Sequence, residues 1–349
     1  EKPFTSKAGQ VYRFFASVRG DIYSTEQAPI DTTPVTYYGN ESIVRALPTA
    51  GVEVSYPFVN SSTSLRQVIE PVAEFIVAPH VSNNDKIPNQ DSLTVEFDDT
   101  NLFSENRFPG YDRWESGSRA SVGMRYSVYG NGGAQASMLF GQSFRLQEDD
   151  SFTAASGLRD QQSDYVGSIQ LAPSNKILAV HRFRLDQANF KFNRNEFDLI
   201  ARTGPLATQL GYAYFAQDPS ITATTGSREE ISLGAVLKLS EFWRLFGNTT
   251  RDLTSSETIS NRIGVGYQDE CFGLSVGFYQ SNISYQDIQK SNTFLVEVTF
   301  KNLGSTGTGR STQGANAGVI NPGSSLFGSG DGSLFGDPAG WTNNTRSDP

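Results

Sequence analysis

Apolar and polar side chains alternate with a period of two in segment after segment of this chain, and this alternation most limits the possible fold. Between residues 12 and 22, even positions carry Tyr, Phe, Ala, Val, Gly and Ile, and most odd positions carry Arg, Ser or Asp. Successive side chains of a β-strand point to opposite faces of a sheet, so such a segment predicts a strand with one apolar and one polar face. The alternation recurs at residues 44–56, 119–128, 134–145, 206–216, 231–239, 259–267, 272–278 and 293–300.

The number and length of these segments favour a barrel. Roughly fourteen strands are predicted, and the Tyr-Gly-Asn-Gly-Gly stretch at residues 129–133 predicts a tight hairpin. Several segments reach the ~9–11 residues with which a tilted strand crosses a membrane, whereas strands of soluble proteins usually have ~5–6. We therefore predict an all-β fold, a transmembrane antiparallel meander β-barrel over residues 1–301, without a transmembrane helix.

The composition changes after residue 301. Gly, Ser, Thr and Asn dominate from Asn302 to Pro349, and Ser-Leu-Phe-Gly occurs twice in this segment. Such a segment cannot bury enough apolar surface to offset the entropy lost on ordering. We predict a disordered tail at residues 302–349, in which the two Leu-Phe copies are spacers or short docking motifs.

Composition also excludes some functions. The net charge of −9 argues against nucleic acid, which requires a basic face. The single cysteine, Cys271, excludes a disulfide framework within the chain. The mean hydropathy of −0.38 alone suggests a soluble protein, but a barrel strand needs only alternate apolar residues. The 24 Phe and 14 Tyr suit the aromatic girdles of such barrels.

No pattern of catalysis is present in the sequence. His181 falls on the apolar face of its segment, and no His/Cys spacing suits zinc. There is no nucleophile elbow and no phosphate-binding loop. The pairs Asp98-Asp99 and Asp149-Asp150 are predicted to be loop residues that are solvated or make weak contact with divalent ions. We predict that the chain is not an enzyme and has no cofactor.

Arginines on the predicted polar face have two interpretations. They would point into the barrel lumen if the apolar face meets outer-membrane lipid. They either pair with acidic side chains such as Glu53 or line a hydrated passage that accepts sugar-phosphate head groups, because guanidinium suits phosphate. The candidate luminal residues are Arg13, Arg19, Arg119, Arg125 and Arg145.

Four short blocks carry a family resemblance. The blocks occupy residues 66–71, 87–92, 97–103 and 106–113. Their order resembles that of the LPS-assembly outer-membrane protein family (LptD, also called OstA), most closely its alphaproteobacterial members. Any one block alone would be weak, whereas the four together are specific. The motif residues are Glu70, Pro71, Pro88, Asn89, Asp91, Asp98, Asn106, Arg107, Phe108, Gly110, Asp112 and Arg113.

The resemblance implies transport of lipopolysaccharide and its insertion into the outer leaflet of the Gram-negative outer membrane. The partners it implies are an LptE-type lipoprotein plug, an LptA-type periplasmic bridge and the barrel-assembly machinery. The family's barrel is larger than the one predicted here, so we expect a C-terminal portion of it. A lateral gate is expected between the first and last barrel strands. The last predicted strand, residues 291–300, supplies the candidate gate residues Phe294, Val296, Val298 and Phe300.

Two departures from the family stand out. Family members carry two adjacent cysteines near the position of Cys271, bonded to the N-terminal domain, so here at most one such interdomain disulfide is expected. Residues 301–349 also follow Phe300, whereas barrel-assembly recognition commonly reads an aromatic-ended strand near the C-terminus. Either Phe300 is recognised internally, or the tail is accommodated in the periplasm. A passive porin or a substrate-specific channel is the alternative function, and a soluble β-sandwich adhesin is a weaker third.

Overall fold

The computed structural model of the chain is almost entirely β-strand. It describes residues 2–25, 29–30, 36–37, 41–80, 83, 87, 89–92, 95–216, 226–282, 290–300 and 304–307. No helix among these residues is long and apolar enough to cross a membrane. The strands are β1 Lys2–Thr5, β2 Val11–Thr25, β3 Pro29–Ile30, β4 Thr36–Tyr37, β5 Glu41–Ser55, β6 Phe58–Ser61, β7 Leu65–Val77, β8 Arg119–Gly130, β9 Gln135–Arg145, β10 Tyr165–Ser174, β11 Ile177–Leu185, β12 Phe192–Thr203, β13 Leu206–Phe215, β14 Arg228–Lys238, β15 Trp243–Asp252, β16 Thr258–Gln268, β17 Phe272–Ser281, β18 Ser291–Phe300 and β19 Gly304–Gly307.

Seventeen of the described strands form one antiparallel sheet, and β3 pairs only with β4. β1 pairs with β2, β2 with β5, and both β5 and β6 with β7. From β7 to β19 each strand pairs with the next one in the chain. The predicted antiparallel meander is confirmed, as is the hairpin between β8 and β9. The strands exceed the predicted number partly because β1, β6 and β19 are too short to show alternation.

The sheet is inside-out compared with that of a soluble protein. Val18, Ile22 and Phe294 are 78%, 82% and 75% exposed, and they lie on one face, which we call the outer face. Polar side chains such as Glu74 and Arg184 are buried on the opposite, inner face. An apolar outer face is stable only against lipid, so the exposure pattern fits strands that span a membrane.

The two ends of the sheet differ in the length of their connections. Short turns join strands at one end, at residues 131–134, 175–176, 204–205, 239–242 and 269–271. Longer loops join them at the other, at residues 78–118, 146–164, 186–191 and 253–257. Outer-membrane barrels have short periplasmic turns and longer extracellular loops. The short-turn end is therefore the periplasmic end.

Aromatic side chains mark the periplasmic end of the outer face. The Tyr267 ring centroid lies 5.2 Å from that of Trp243 and 6.3 Å from that of Phe272. The Phe272 ring is in turn 5.6 Å from Phe300. These four residues form an aromatic girdle across β15–β18, as expected where strands leave the hydrocarbon region.

This orientation predicts which connections are accessible from outside the cell. In the parent protein, with Cys271 replaced by serine, Ser255→Cys should react with a membrane-impermeant maleimide on intact cells. Asn175→Cys, in a short turn, should react only after the outer membrane is permeabilised. Labelling of Asn175→Cys on intact cells, with Ser255→Cys protected, would reverse the assigned ends.

Candidate functional site

We call the connection between β7 and β8, residues 78–118, the inner loop, because its described residues lie against the inner face. Three of the four motif blocks fall within this range. Arg13 on β2 lies 3.4 Å from Glu105 of the loop, and Arg194 on β12 lies 3.3 Å from Glu96. These strands are far apart in the sheet but present the same face to one loop. The sheet therefore curves around the inner loop, which occupies the concave side.

An apolar cluster fixes the middle of the inner loop. Phe97, Leu102 and Phe108 from the loop are buried, and Phe108 stacks on Phe152 of the β9–β10 connection at 4.7 Å. Leu102 packs directly on the sheet backbone, because a Cβ at Gly141 would lie 2.5 Å from its Cδ2 atom. Burial of each such side chain contributes about 1.5–3 kcal/mol. The remaining members of the cluster are Leu139, Leu158 and Val166.

A buried carboxylate, Glu115, joins the end of the inner loop to the sheet. Its Oε1 atom lies 2.7 Å from Arg107 Nη1 and 3.5 Å from Arg119 Nε, and it accepts a hydrogen bond from Arg145. Burial alone would raise the pKa of Glu115, but these three guanidinium groups outweigh it and hold the pKa below its ordinary value. Glu115 is therefore an anion at neutral pH.

Arg107 connects the inner loop to two strands. Burial lowers its pKa to about 10, which leaves it charged at neutral pH. Its guanidinium donates to the carbonyl oxygens of Asn101 at 3.0 Å and Leu102 at 2.9 Å. It also donates to the hydroxyls of Ser121 at 3.1 Å and Ser143 at 3.2 Å. One motif arginine thus fixes a turn of the loop against β8 and β9.

The serines that meet Arg107 belong to a polar row across the inner face. Arg13, Glu53, Glu74, Ser121 and Ser143 occupy directly opposed positions on β2, β5, β7, β8 and β9. Arg13 forms an ion pair with Glu53 at 3.0 Å and with the buried Glu74 at 3.6 Å. The row gives the loop a polar surface to dock on, inside a sheet whose other face is apolar.

Other motif residues shape turns of the inner loop. Asp98 accepts hydrogen bonds from the backbone N–H groups of Thr100 at 2.9 Å and Asn101 at 3.3 Å. Asn106 donates to the carbonyl of Phe108 and accepts from the N–H of Glu115 at 3.0 Å. These bonds satisfy backbone groups that the loop buries, as a folded loop requires.

Two motif aspartates connect residues 90–91 of the inner loop to residues 111–112 by hydrogen bonds. Asp91 accepts from the N–H groups of Tyr111 at 2.7 Å and Asp112 at 3.1 Å, and these bonds lower its pKa. Asp112 in turn accepts from Gln90 N–H at 2.8 Å. A Cβ at position 110 would lie 2.2 Å from the Asp91 carboxyl carbon, so a side chain there would displace the carboxylate from these hydrogen bonds.

The remaining motif residues belong to β7 and to the inner loop. Pro71 lies opposite the break between β5 and β6, where its carbonyl accepts from Tyr56 N–H at 3.1 Å and an N–H of its own is not needed. Glu70 on the same strand lies 3.8 Å from Arg125. Asn89 exchanges two hydrogen bonds with Ser92, and Arg113 is half-buried. Pro88 lies outside the described residues.

All five candidate luminal arginines lie on the inner face, and each has a carboxylate within 4 Å. In addition to the pairs of Arg13, Arg119 and Arg125 given above, Arg19 lies 2.9 Å from Asp21, and Arg145 lies 3.4 Å from Asp149. With the inner loop against the sheet, this geometry favours the interpretation that the arginines pair with acidic side chains. Contact of these residues with lipid head groups stays a prediction.

A second arginine cluster, on β11 and β12, has no counterpart among the sequence predictions. Arg184 lies 3.3 Å from both Glu96 and Asp164, and Arg182 lies 3.8 Å from Asp99. Burial raises the pKa of Asp99 and of Asp164. The prediction of solvated loop residues was therefore wrong for Asp99 and Asp149, which are buried. Asp99 is flanked by Asp98 and Thr100, so its sequence neighbours gave no signal of this burial.

The other candidate residues lie away from the inner loop. Phe294, Val296, Val298 and Phe300 share the outer face of β18, whose bounds match the predicted last strand. Cys271 is exposed in the periplasmic turn before β17. His181 lies on the outer face of β11, with its Nε2 atom 2.8 Å from Asn195 Oδ1.

The family model and the curated relatives indicate one family. The family model "LptD: LPS transport system D" matches residues 1–243. The chain is similar to LPS-assembly protein LptD of Aeromonas salmonicida (23% identical over 284 residues, 76% of this chain and 34% of that protein) and of Acinetobacter baumannii (24% over 247 residues, 68% and 30%). The same protein of Escherichia coli is 23% identical over 269 residues, with 68% of this chain and 33% of that protein covered. The chain thus spans about a third of the length of the curated relatives it matches.

Among solved structures, a triple mutant of Rhodopseudomonas blastica porin is similar at a TM-score of 0.33 and 6% identity. That match covers 83% of this chain and 90% of the porin chain.

The cluster around Glu115 predicts a large effect of one substitution. Glu115→Gln leaves three guanidinium groups without their shared anion, and breaking a buried pair of this kind costs about 3–5 kcal/mol. Hydrogen exchange of residues 95–118 in the folded parent protein should show the inner loop losing protection. Asp150→Asn, which breaks an exposed pair with Arg159, is the control and should change the protection by no more than ~1 kcal/mol. Unchanged protection in Glu115→Gln would show that Glu115 does not anchor the loop.

The lowered pKa of Glu115 also predicts an acid-dependent step. A carboxylate whose pKa is below its ordinary value of 4.5 stabilises the docked loop above that pH, and the stabilisation is lost as pH falls through the lowered value. Protection of the inner loop should be constant from about pH 7 to 5 and fall under more acidic conditions. Glu115→Gln should reduce this step, and the part that remains belongs to Asp91, whose pKa is also lowered. Asp99→Asn should keep it, because the raised pKa of Asp99 has the opposite sign. A step of undiminished size in Glu115→Gln would assign it to another group.

Proposed function

The chain belongs to the LptD (LPS transport system D) family of the bacterial outer membrane, and from this premise we propose that it moves lipopolysaccharide into the outer leaflet of that membrane. In this proposal it is the C-terminal portion of the barrel in a lipopolysaccharide translocon. The antiparallel sheet and its apolar outer face support the barrel role. The lipid would leave the barrel interior sideways, past β18.

One observation carries this proposal, which is the uneven filling of the inner face. The contacts of the inner loop given above extend from β2 to β12. From β14 to β17 the inner face combines the larger Phe246, Arg262 and Tyr279 with six small residues, Gly234, Gly264, Gly266, Gly277, Ser232 and Ser275. The ring of Phe246 occupies the space over Gly264. We propose that a bulky polar head group passes through this part of the interior, because it lies beside the terminal strand and beyond the contacts of the inner loop given above.

The terminal strand has the pairing expected of a gate. β18 pairs with β17 over all ten of its residues, from Ser291 to Phe300. On its other edge, the described residues pair it only with β19, over Glu297–Phe300. Backbone groups left open in lipid are costly, so residues 291–295 of this edge need a partner strand in a closed barrel. We propose that the barrel opens at this edge, which we call the seam, because among the described strands only the short β19 pairs with it.

The partners follow from the same proposal. An LptA-type bridge would deliver the lipid at the periplasmic end, and an LptE-type lipoprotein would fill the lumen. Cys271 lies at the end where a periplasmic domain could reach it for an interdomain disulfide. No step here requires a catalytic residue, so we propose a translocation pathway rather than an enzyme. The proposed tail, residues 302–349, lies outside the described residues except for β19.

The gate predicts a face-specific crosslink to lipopolysaccharide. In the full-length parent protein, a photo-reactive residue at Phe294 or Val296, on the outer face of β18, should give lipopolysaccharide adducts that disappear when the periplasmic bridge is depleted. The dependence on the bridge separates lipid in transit from lipid already in the membrane.

The matched control places the probe at Leu245, on the outer face of β15 and away from the seam. Its adducts should not depend on the bridge. Bridge-independent adducts at Phe294 and Val296, together with silence of a probe at Arg125 on the inner face, would contradict the proposal and favour a passive porin.

A further inference from the structure

After β18 the chain turns back and pairs a second time with the same strand. β19 runs antiparallel to β18, with Gly304 opposite Phe300 and Gly307 opposite Glu297. Only three residues separate the two strands in the sequence. The other edge of β18 is paired with β17 over all ten residues. β19 therefore lies on the seam, where it covers the four positions nearest the periplasm.

A strand edge accepts one partner at a time. Each residue of a strand has a single backbone N–H and a single C=O group, so a position that is paired with one strand is closed to another. Residues 291–295 of the seam need a partner in a closed barrel, and we call the strand that supplies it the closing strand. The closing strand cannot continue along residues 297–300 while β19 is paired there. Pairing of β19 and full closure of the seam thus exclude each other.

The sequence of β19 makes it a weak but persistent competitor for this edge. Two of its four residues are glycine, which weakens a strand because it has no side chain to pack and loses more freedom on ordering. Four residues also supply few hydrogen bonds. The short connection to β18, however, gives β19 a high effective concentration at the seam. A short, weak and tethered strand suits repeated exchange of partners rather than permanent closure.

The position of β19 along the membrane normal permits such an exchange. Phe300, at its lower end, belongs to the aromatic girdle, and Glu297 lies three residues higher. At ~3.3 Å per residue and ~40° of tilt, the paired stretch covers only the ~8 Å nearest the periplasm. Water reaches backbone groups at this boundary, whereas it is excluded from the hydrocarbon region. Exchange of partners therefore costs less here than at the middle of β18.

We infer that β19 is a placeholder strand that competes with the closing strand for the periplasmic end of β18. While β19 is paired, the closing strand is held away from residues 297–300 and is bonded over a shorter length. When β19 leaves, the closing strand extends to Phe300 and the seam closes fully. The pairing of β19 therefore sets how firmly the barrel is closed. That a lipid crosses the seam rests on the proposed function, whereas the exchange of strands does not.

A disulfide that holds β19 on the seam tests this competition. Val298 and Thr306 are directly opposed, and the ~4.5–5.5 Å between opposed Cα atoms of an antiparallel pair suits a disulfide. In the full-length parent protein with Cys271 replaced by serine, Val298→Cys with Thr306→Cys should give a disulfide-linked peptide in mass spectrometry. Thr293→Cys with Thr306→Cys should not, because position 293 lies ~16 Å further along β18.

Hydrogen exchange of residues 291–295, measured in detergent, reports on the closing strand. The disulfide between positions 298 and 306 prevents full closure, so this exchange should become about tenfold faster, the effect of about one or two hydrogen bonds. Reduction of the disulfide should reverse the change.

Proline substitutions in β19 should act in the opposite direction. Ser305→Pro with Thr306→Pro removes two N–H donors and prevents β19 from pairing. The closing strand should then extend along β18, and exchange of residues 291–295 should become several-fold slower. Ser311→Pro with Thr312→Pro changes the same pair of residue types beyond β19 in the sequence, and this matched control should leave the exchange unchanged.

The inference fails if the linked peptide does not form, or if the disulfide and the prolines both leave the exchange of residues 291–295 unchanged. It also fails if the prolines only expose residues 297–300, because β19 would then be a simple cover of the edge. Heat-modifiable gel mobility verifies that each barrel is folded, and either variant suffices if the other does not assemble. The measurement requires no lipopolysaccharide, so a negative crosslink at Phe294 would remove the proposed function without changing this result.

Discussion

The shared contact of Glu115 with Arg107, Arg119 and Arg145 is the interaction on which the interior depends. Arg119 and Arg145 are directly opposed on β8 and β9, so without an anion two like charges would face each other on neighbouring strands. Glu115 removes this repulsion and brings the end of the inner loop to the sheet. Arg107 then carries the attachment to Ser121 and Ser143. The fold of the loop and the pairing of two barrel strands are thus stabilised by one carboxylate.

Charged side chains are concentrated in the barrel interior because the outer face meets lipid. The outer face must be apolar, so the alternation of each strand leaves the inner face polar. An apolar loop alone could not pack against that surface. The inner loop therefore combines a small aromatic cluster around Phe97 with carboxylates such as Glu96 that meet the arginines of β11 and β12. Most of the motif residues in the described ranges are explained by this docking.

The faces and bounds of strands could be predicted from the sequence, whereas contacts between residues far apart in the chain could not. A period of two is a property of adjacent residues, so the outer-face positions of Phe14, Val18 and Ile22 and the bounds of β18 could be predicted. The pairing of Glu96 with Arg194 joins residues almost a hundred positions apart, and no local pattern encodes it. Asp99 was misread for the same reason, because burial depends on what packs over a loop. The short β19 offers too few residues to show alternation.

The two halves of the sheet divide the work of a translocation barrel between them. Charged groups and the inner loop fill the half from β2 to β12. From β14 to β17, small residues such as Gly234 and Ser275 share the inner face with Phe246, whose ring occupies the space over Gly264. Under the proposed function the lipid passes through this second half, because it lies beside the terminal strand β18 and beyond the contacts of the inner loop given above.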